Sequence, residues 1–268
     1  MRDPAPLALP EVVARLRAVG CVFAEEEAAL LIAAATPDGL AAMVDRRAAG
    51  EPLEYVIGWA EFCGLRVAVE PGVFVPRHRT EFLASQAAAH AHPGAVVVDL
   101  CCGSGAVGAA VVAALPSVEL HATEIDATAA RCARRNLVTV GGRVHAGDLY
   151  DPLPAGLRGR VDVLVANVPY VPTDEIPLLP REARLYEPRQ ALDGGPDGLD
   201  VLRRVAAEAP AWLAPGGHLL VETSAVQARR AAEILTASGL LAEVNSLDEI
   251  DATVVIGTKP ARRTGRVG

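Results

Sequence analysis

Four residues, Asn167-Val168-Pro169-Tyr170, follow directly on the apolar run Val161 to Ala166. The run reads as a buried strand of a parallel sheet. Its end offers a carboxamide, a proline-fixed turn and an aromatic ring. Ligands of open α/β sheets bind at the carboxyl ends of strands, so a polar residue there is a site candidate. Asn and Pro also favour plain turns, so the stretch alone leaves a strand-ending turn equally open. A ligand-binding loop upstream decides between the two.

Such a loop stands at Asp99-Leu100-Cys101-Cys102-Gly103-Ser104-Gly105-Ala106-Val107-Gly108, between a predicted strand and helix. Its G-x-G-x-x-G spacing could be a dinucleotide fingerprint. Asp99 argues otherwise, because a carboxylate beside a pyrophosphate is unfavourable. S-adenosylmethionine carries an ammonium and a sulfonium and no phosphate, and an acidic strand end suits it. The next strand ends in Glu124, about twenty residues on, where an acid can accept hydrogen bonds from both ribose hydroxyls. Asp126 is expected to cap the helix that follows. Asp148 ends the third strand, where an adenine amino group could donate to it. Three acids at three successive strand ends, with the glycine loop, point to an adenosyl cofactor. The other cofactor candidates are Cys101, Gly103 and Gly105 in the loop, Ile125 and Leu149 beside their acids, Asn167 and Thr80. Cys101 and Cys102 are read as space-filling residues at a tight strand-loop junction.

The elements that must hold these residues follow from periodicity. His92 onward alternates strands (Ala95–Leu100, Val118–Thr123, Arg143–Ala146, Val161–Ala166, Gly217–Glu222) with helices over 105–115, 127–138, 198–213 and 225–238. This pattern signals a doubly wound parallel sheet, closed by strands at Leu240–Asn245 and Ala252–Thr258. Val171 to Pro196 is a long loop, and long loops are usually functional. Ahead of the sheet, three short Ala-rich helices are expected: one opened by Pro10 and stopped by Gly20, one over Ala24–Ala35 bounded by Pro37, and one from near Asp38 to Ala49. A β-hairpin is expected between Leu53 and Pro76, then a helix to about His90. The domains expected are a helical substrate-recognition unit at 1–52, a hairpin linker at 53–79, the sheet domain at 80–260 and a flexible basic tail at 261–268.

Composition narrows the function classes. Of the 268 residues 51% are hydrophobic and 4% aromatic, so Ala, Val and Leu must do the packing. A net charge of -8 gives no reason to expect binding along a phosphate backbone. No apolar stretch approaches the ~20 residues that span a bilayer, and the amino-terminal residues lack a secretory apolar core, so cytoplasm is the default. Five cysteines with no C-x-x-C pair, and histidines with no H-E-x-x-H, give no support to a disulfide framework or a metal site.

Most of the chain resembles the HemK-type protein-(glutamine-N5) methyltransferases, class I enzymes that methylate a glutamine of peptide chain release factors. The family pattern G-V-x-x-P-R-x-x-T-E is matched by Gly72 to Glu81, and its distal Y-E-P-x-x-A-L-x-G-G-x-D-G-L by Tyr186 to Leu199. The resemblance implies a class I, Rossmann-like, S-adenosylmethionine-dependent fold: a doubly wound seven-stranded sheet preceded by a small helical domain and a hairpin. It also implies roles. The Asn167 side chain and the Val168 carbonyl would hold the acceptor nitrogen, Pro169 would fix the turn, and Tyr170 would stack on the planar amide. A release factor is the implied partner, with no direct nucleic acid contact and a monomer favoured. Two departures stand out: the family's N-P-P-Y is Asn167-Val168-Pro169-Tyr170, and its P-R-P-acid-T-E carries His78 and Arg79. N-[VIL]-P-[YF] resembles adenine-N6 methyltransferases, so an RNA or DNA amine is the first alternative acceptor. A small molecule is the second, and a non-catalytic cofactor-binding relative the third.

Overall fold

The computed structural model describes residues 7–36 and 38–261. Pro37 and the basic stretch Arg262 to Arg266 lie outside the described residues. The first unit is built by helices too short to be stable alone, since isolated helices under ~12–15 residues are marginal. In α1 (Leu9–Ala18), Val12 and Leu16 are fully buried at helical spacing, and Gly20, at φ +87°, turns the chain out. They meet Ala28 and Leu31 of α2 (Ala24–Ala34) and Val44 of α3 (Leu40–Ala48) in a small core.

The expectation of a strand at Leu53 fails. Leu53–Ile57 is a short helix, α4, opened by Pro52 and closed by Gly58 at φ +85°. Tyr55 and Val56 are adjacent and both buried, and they belong to two different cores. The helical unit therefore reaches past residue 52 to take in Val56. The hairpin proper is β1 (Trp59–Phe62) with β2 (Leu65–Ala68), Phe62 paired with Leu65.

The remainder runs α5 (Thr80–His90), β3 (Val96–Leu100), α6 (Ala106–Ala114), β4 (Glu119–Glu124), α7 (Ala127–Leu137), β5 (Arg143–Ala146), β6 (Val161–Ala166), α8 (Arg181–Tyr186), α9 (Asp200–Trp212), β7 (Leu213–Thr223), α10 (Ala228–Ala237), β8 (Leu241–Leu247) and β9 (Ala252–Thr258). The seven strands lie in the order β5-β4-β3-β6-β7-β9-β8, with β9 alone reversed. Every residue of β3 is buried, because helices cover both faces. Val97 faces a core shared with α5, α6 and α7, and Val96, Val98 and Leu100 face one shared with α9 and α10. Strand order reverses between β3 and β6, and an open α/β sheet has its ligand crevice at such a switch point. Among the described residues no helix is long and apolar enough to cross a membrane.

The segment from Val171 to Pro196 is not a bare loop. It holds single helical turns at Thr173–Leu178 and Arg189–Ala191 on either side of α8. Pro172, Pro180 and Pro188 each stand just before one of these turns, where a fixed φ and no N–H suit a helix start.

Candidate active site

The cradle starts where β3 ends. Cys101, Gly103 and Gly105 all take positive φ, and Gly105 leads into α6. Asp99 is 2% exposed, and its Oδ2 accepts the Gly108 N–H at 3.0 Å. A Cβ on Gly108 would lie 3.2 Å from that oxygen and 3.1 Å from Leu120, so the third glycine lets α6 approach the strand-end acid. Burial pushes the Asp99 carboxyl up to about 7, against the Gly108 hydrogen bond and with help from Glu124. Glu124, the last residue of β4, is also raised by burial. Its Oε2 accepts from the Gly103 N–H at 2.8 Å and its Oε1 from the Asp126 N–H at 2.9 Å. Asp126 caps α7 through the Ala129 N–H at 2.8 Å. Asn136 ties the hairpin to this loop: its Nδ2 donates to the carbonyls of Ala68 and Ser104, and its Oδ1 accepts the Ala68 N–H.

A cavity of about 600 Å³ opens over the switch point. Thr80, Asp99, Cys101, Gly103, Glu124, Ile125 and the run Asn167 to Tyr170 all line it. Gly105, Asp148 and Leu149 do not. Leu149 turns at φ +44° into the core, and the Asp148 carboxylate, expected beside an adenine, is held at 2.6 Å by Arg204 of α9.

The register of β3 against β6 pairs Leu100 with Ala166, so the glycine loop and Asn167 leave the sheet side by side. Asn167 Nδ2 donates to Thr80 Oγ1 at 3.4 Å. Among the hydrogen bonds of the described residues, none is spent on Asn167 Oδ1 or the Val168 carbonyl. The Val168 side chain belongs to the core, so its backbone is what it can offer a ligand. The turn is held from outside by the distal segment. Val171 donates to the Leu192 carbonyl at 3.0 Å, Gly194 to the Val171 carbonyl at 2.9 Å, and Gln227 Nε2 to the Tyr170 carbonyl at 3.0 Å. Gly198 takes φ +74°, and a Cβ there would fall 2.3 Å from the Tyr170 carbonyl oxygen. Farther out, Arg77 Nη2 donates to both oxygens of buried Glu187, at 2.7 and 2.6 Å, which clamps the two long sequence motifs together.

Several contributors were given no site role from sequence. Phe74, Ala183 and Leu192 supply apolar wall, and Arg79 supplies a cation. Glu222, near the end of β7, accepts from the Tyr170 hydroxyl at 3.1 Å. The signal for Glu222 was present: it is another acid at a strand end, like Asp99 and Glu124.

The lining fits a cationic adenosyl ligand. Asp99, Glu124 and Asp126 face the cavity, while its two arginines, Arg77 and Arg79, are already paired with Glu187 and Glu222. Uncompensated acids favour a bound cation and oppose a pyrophosphate. Burial pushes the Cys101 and Cys102 thiols up, which disfavours the thiolate at both.

Known proteins share this fold and much of this sequence. Residues 64–179 match the family model described as methyltransferase small domain. A methyltransferase from Pyrococcus furiosus superposes with a TM-score of 0.56 at 18% identity, over 74% of this chain and 90% of that one. The fold is thus the class I methyltransferase fold. The release factor glutamine methyltransferase of Geobacter sulfurreducens is 39% identical, over 87% of this chain and 80% of its own length. That of Mycolicibacterium smegmatis is 36% identical over 92% and 89%. A likeness this long spans the helical unit, the cradle and the distal motif together, and the chain belongs to the release factor glutamine methyltransferase family.

Proposed function

We propose that the chain transfers a methyl group from S-adenosylmethionine to the side-chain amide nitrogen of a glutamine, in the Gly-Gly-Gln motif of a peptide chain release factor, in the cytoplasm. The observation that carries this reading is the pair of unspent acceptors, Asn167 Oδ1 and the Val168 carbonyl, beside an acid-lined cradle at the switch point.

An amide nitrogen is a weak nucleophile because its lone pair is delocalised. Bound in the cradle, the sulfonium supplies an electrophilic methyl. The chain's task is to hold the amide so that its lone pair, and not an N–H, meets that methyl. Two N–H groups need two acceptors, and Asn167 Oδ1 and the Val168 carbonyl supply them. Thr80 fixes which way the Asn167 carboxamide points. Tyr170 stacks on the amide plane, and Pro169 keeps the spacing between them. Asp99 and Glu124 hold the cationic and ribose parts of the donor. Positioning of this sort contributes as much as ~7–11 kcal/mol to a barrier reduction. The amide nitrogen held by Asn167 and Val168 would take the methyl of the bound donor, and the amide proton would then leave to solvent, so no dedicated base is required. Residues 1–52 are read as the unit that recognises the release factor.

The test is incubation with labelled S-adenosylmethionine and purified release factors, followed by mass spectrometry of the Gly-Gly-Gln peptide. Asn167→Ala is expected to lower kcat by about 10²–10³-fold with cofactor affinity near wild type. Label in RNA, or an unimpaired Asn167→Ala, overturns the reading.

A further inference from the structure

Glu222 is a buried acid beside this site that the mechanism leaves without work. Its side chain is 3% exposed. Oε1 accepts from the Tyr170 hydroxyl at 3.1 Å and lies 3.4 Å from Arg79 Nε. Oε2 is buried and has no partner among the described residues. Arg79 closes a triangle: its Nη2 donates to the Tyr170 oxygen at 2.7 Å, and its Cζ lies 5.8 Å from the ring centroid. The Tyr170 hydroxyl is thus both donor, to Glu222, and acceptor, from Arg79. Burial first, and Glu222 next, push its pKa up, so it keeps the proton that the donor role needs.

A half-satisfied buried carboxylate is a poor way to gain stability, because the orphaned oxygen carries an uncompensated desolvation cost. What this one does is fix a ring. A tyrosine tethered at its far end by two bonds, one to a rigid strand end, cannot sway or tilt. We propose that Glu222 and Arg79 are positioning residues for methyl transfer, acting through Tyr170 to hold its ring in the plane that stacks on the acceptor amide. This rests on the reading of Tyr170 as the stacking wall. Neither residue touches the reacting atoms in this scheme. Their effect is on the geometry of the bound amide, and so on turnover after binding.

The experiment is steady-state methylation of a purified release factor by the full-length chain and by Glu222→Gln, Arg79→Lys, Tyr170→Phe and the Arg79→Lys/Tyr170→Phe double variant. Tm and calorimetric cofactor affinity are measured alongside. Each single variant is expected to lose about 10–100-fold in kcat, with KM for the release factor unchanged. The double variant is expected to lose no more than about twofold beyond the worse single one, since both act through one hydroxyl. Glu222→Gln is expected to keep or raise Tm while losing turnover, which a structural carboxylate would not do. If Glu222→Gln fails to fold, the half-exposed Arg79 and the isosteric Tyr170→Phe still decide the matter. Full activity in Arg79→Lys and Tyr170→Phe overturns the inference alone. So does a raised KM at constant kcat, which would make Arg79 a docking contact, and so does additivity in the double variant. A wild-type chain that methylates no release factor overturns the inference and the reading beneath it together.

Discussion

In the proposed role, Asp99 serves the ligand at the expense of the empty fold. Its carboxyl is pushed from an ordinary 3.8 up to about 7 by burial. An acid raised on folding supports the fold fully below 3.8, and that support is lost as pH climbs through about 7. A bound cation reverses the preference and favours the ionised form. Affinity for S-adenosylmethionine should therefore rise between about pH 6 and pH 8, with proton release that calorimetry in two buffers can count. Asp99→Asn should flatten that profile and weaken binding, yet raise the ligand-free Tm at pH 8 by about 2 °C or more. A pH-independent wild-type affinity would refute the assignment. At this scale the sequence was legible where a strand end alone fixes a side chain, as at Asp99, Glu124 and Asn167. It was not legible where a partner remote in sequence decides. Asp148 is paired with Arg204 and does not line the cavity, and Glu222 gains meaning only through Tyr170 and Arg79.

Among the elements, the distal segment is the one whose fit is tightest. A Cβ at Gly198 would press on the Tyr170 carbonyl and on Gln227, at a φ that disfavours other residues. Gly198→Ala should cost about 1–3 kcal/mol in a urea titration and should lower kcat more than it disturbs cofactor binding, because the displaced backbone carries Tyr170. An alanine variant of wild-type stability would mean that the turn relaxes freely. Short strands bounded by turn residues were easy to read, and β5, β6 and β9 begin and end where the sequence puts them. The segment from 171 to 196 was not, since turns of three to six residues are too short to show a helical period. Its prolines, eight residues apart, were the available clue. At α4 the apolar triplet Tyr55-Val56-Ile57 looks like a strand, but Pro52 at its start and Gly58 in the left-handed conformation at its end bound a short helix instead.

For the whole molecule, the question is how the first helices communicate with the cavity. Arg47 of α3 bonds Glu27 of α2 and also Glu182 of α8, and Glu182 lines the cavity. The helical unit is thereby fastened to a wall of the cavity. Glu182 is half exposed, so Glu182→Ala should change stability by less than about 1 kcal/mol. If residues 1–52 recognise the release factor, the same variant should raise KM for that protein several-fold and leave cofactor affinity alone. Unchanged KM would detach the helical unit from recognition. The overall architecture was readable because each layer announces itself by its own period. The fastening was not, because an ion pair between residues 135 positions apart leaves no local trace.

The reversed strand has a consequence for how the chain is made. β7, which carries Glu222, pairs on one side with β6 and on the other with β9, and β9 comes later in the chain than the α10–β8 unit. During synthesis β7 therefore waits with one edge bare until Ala252 to Thr258 has left the ribosome. At ~5–20 residues per second that interval lasts seconds, long enough for a bare edge to recruit another nascent strand. That bare edge of β7, and not the finished sheet, is where this chain is open to mispairing while it is being made.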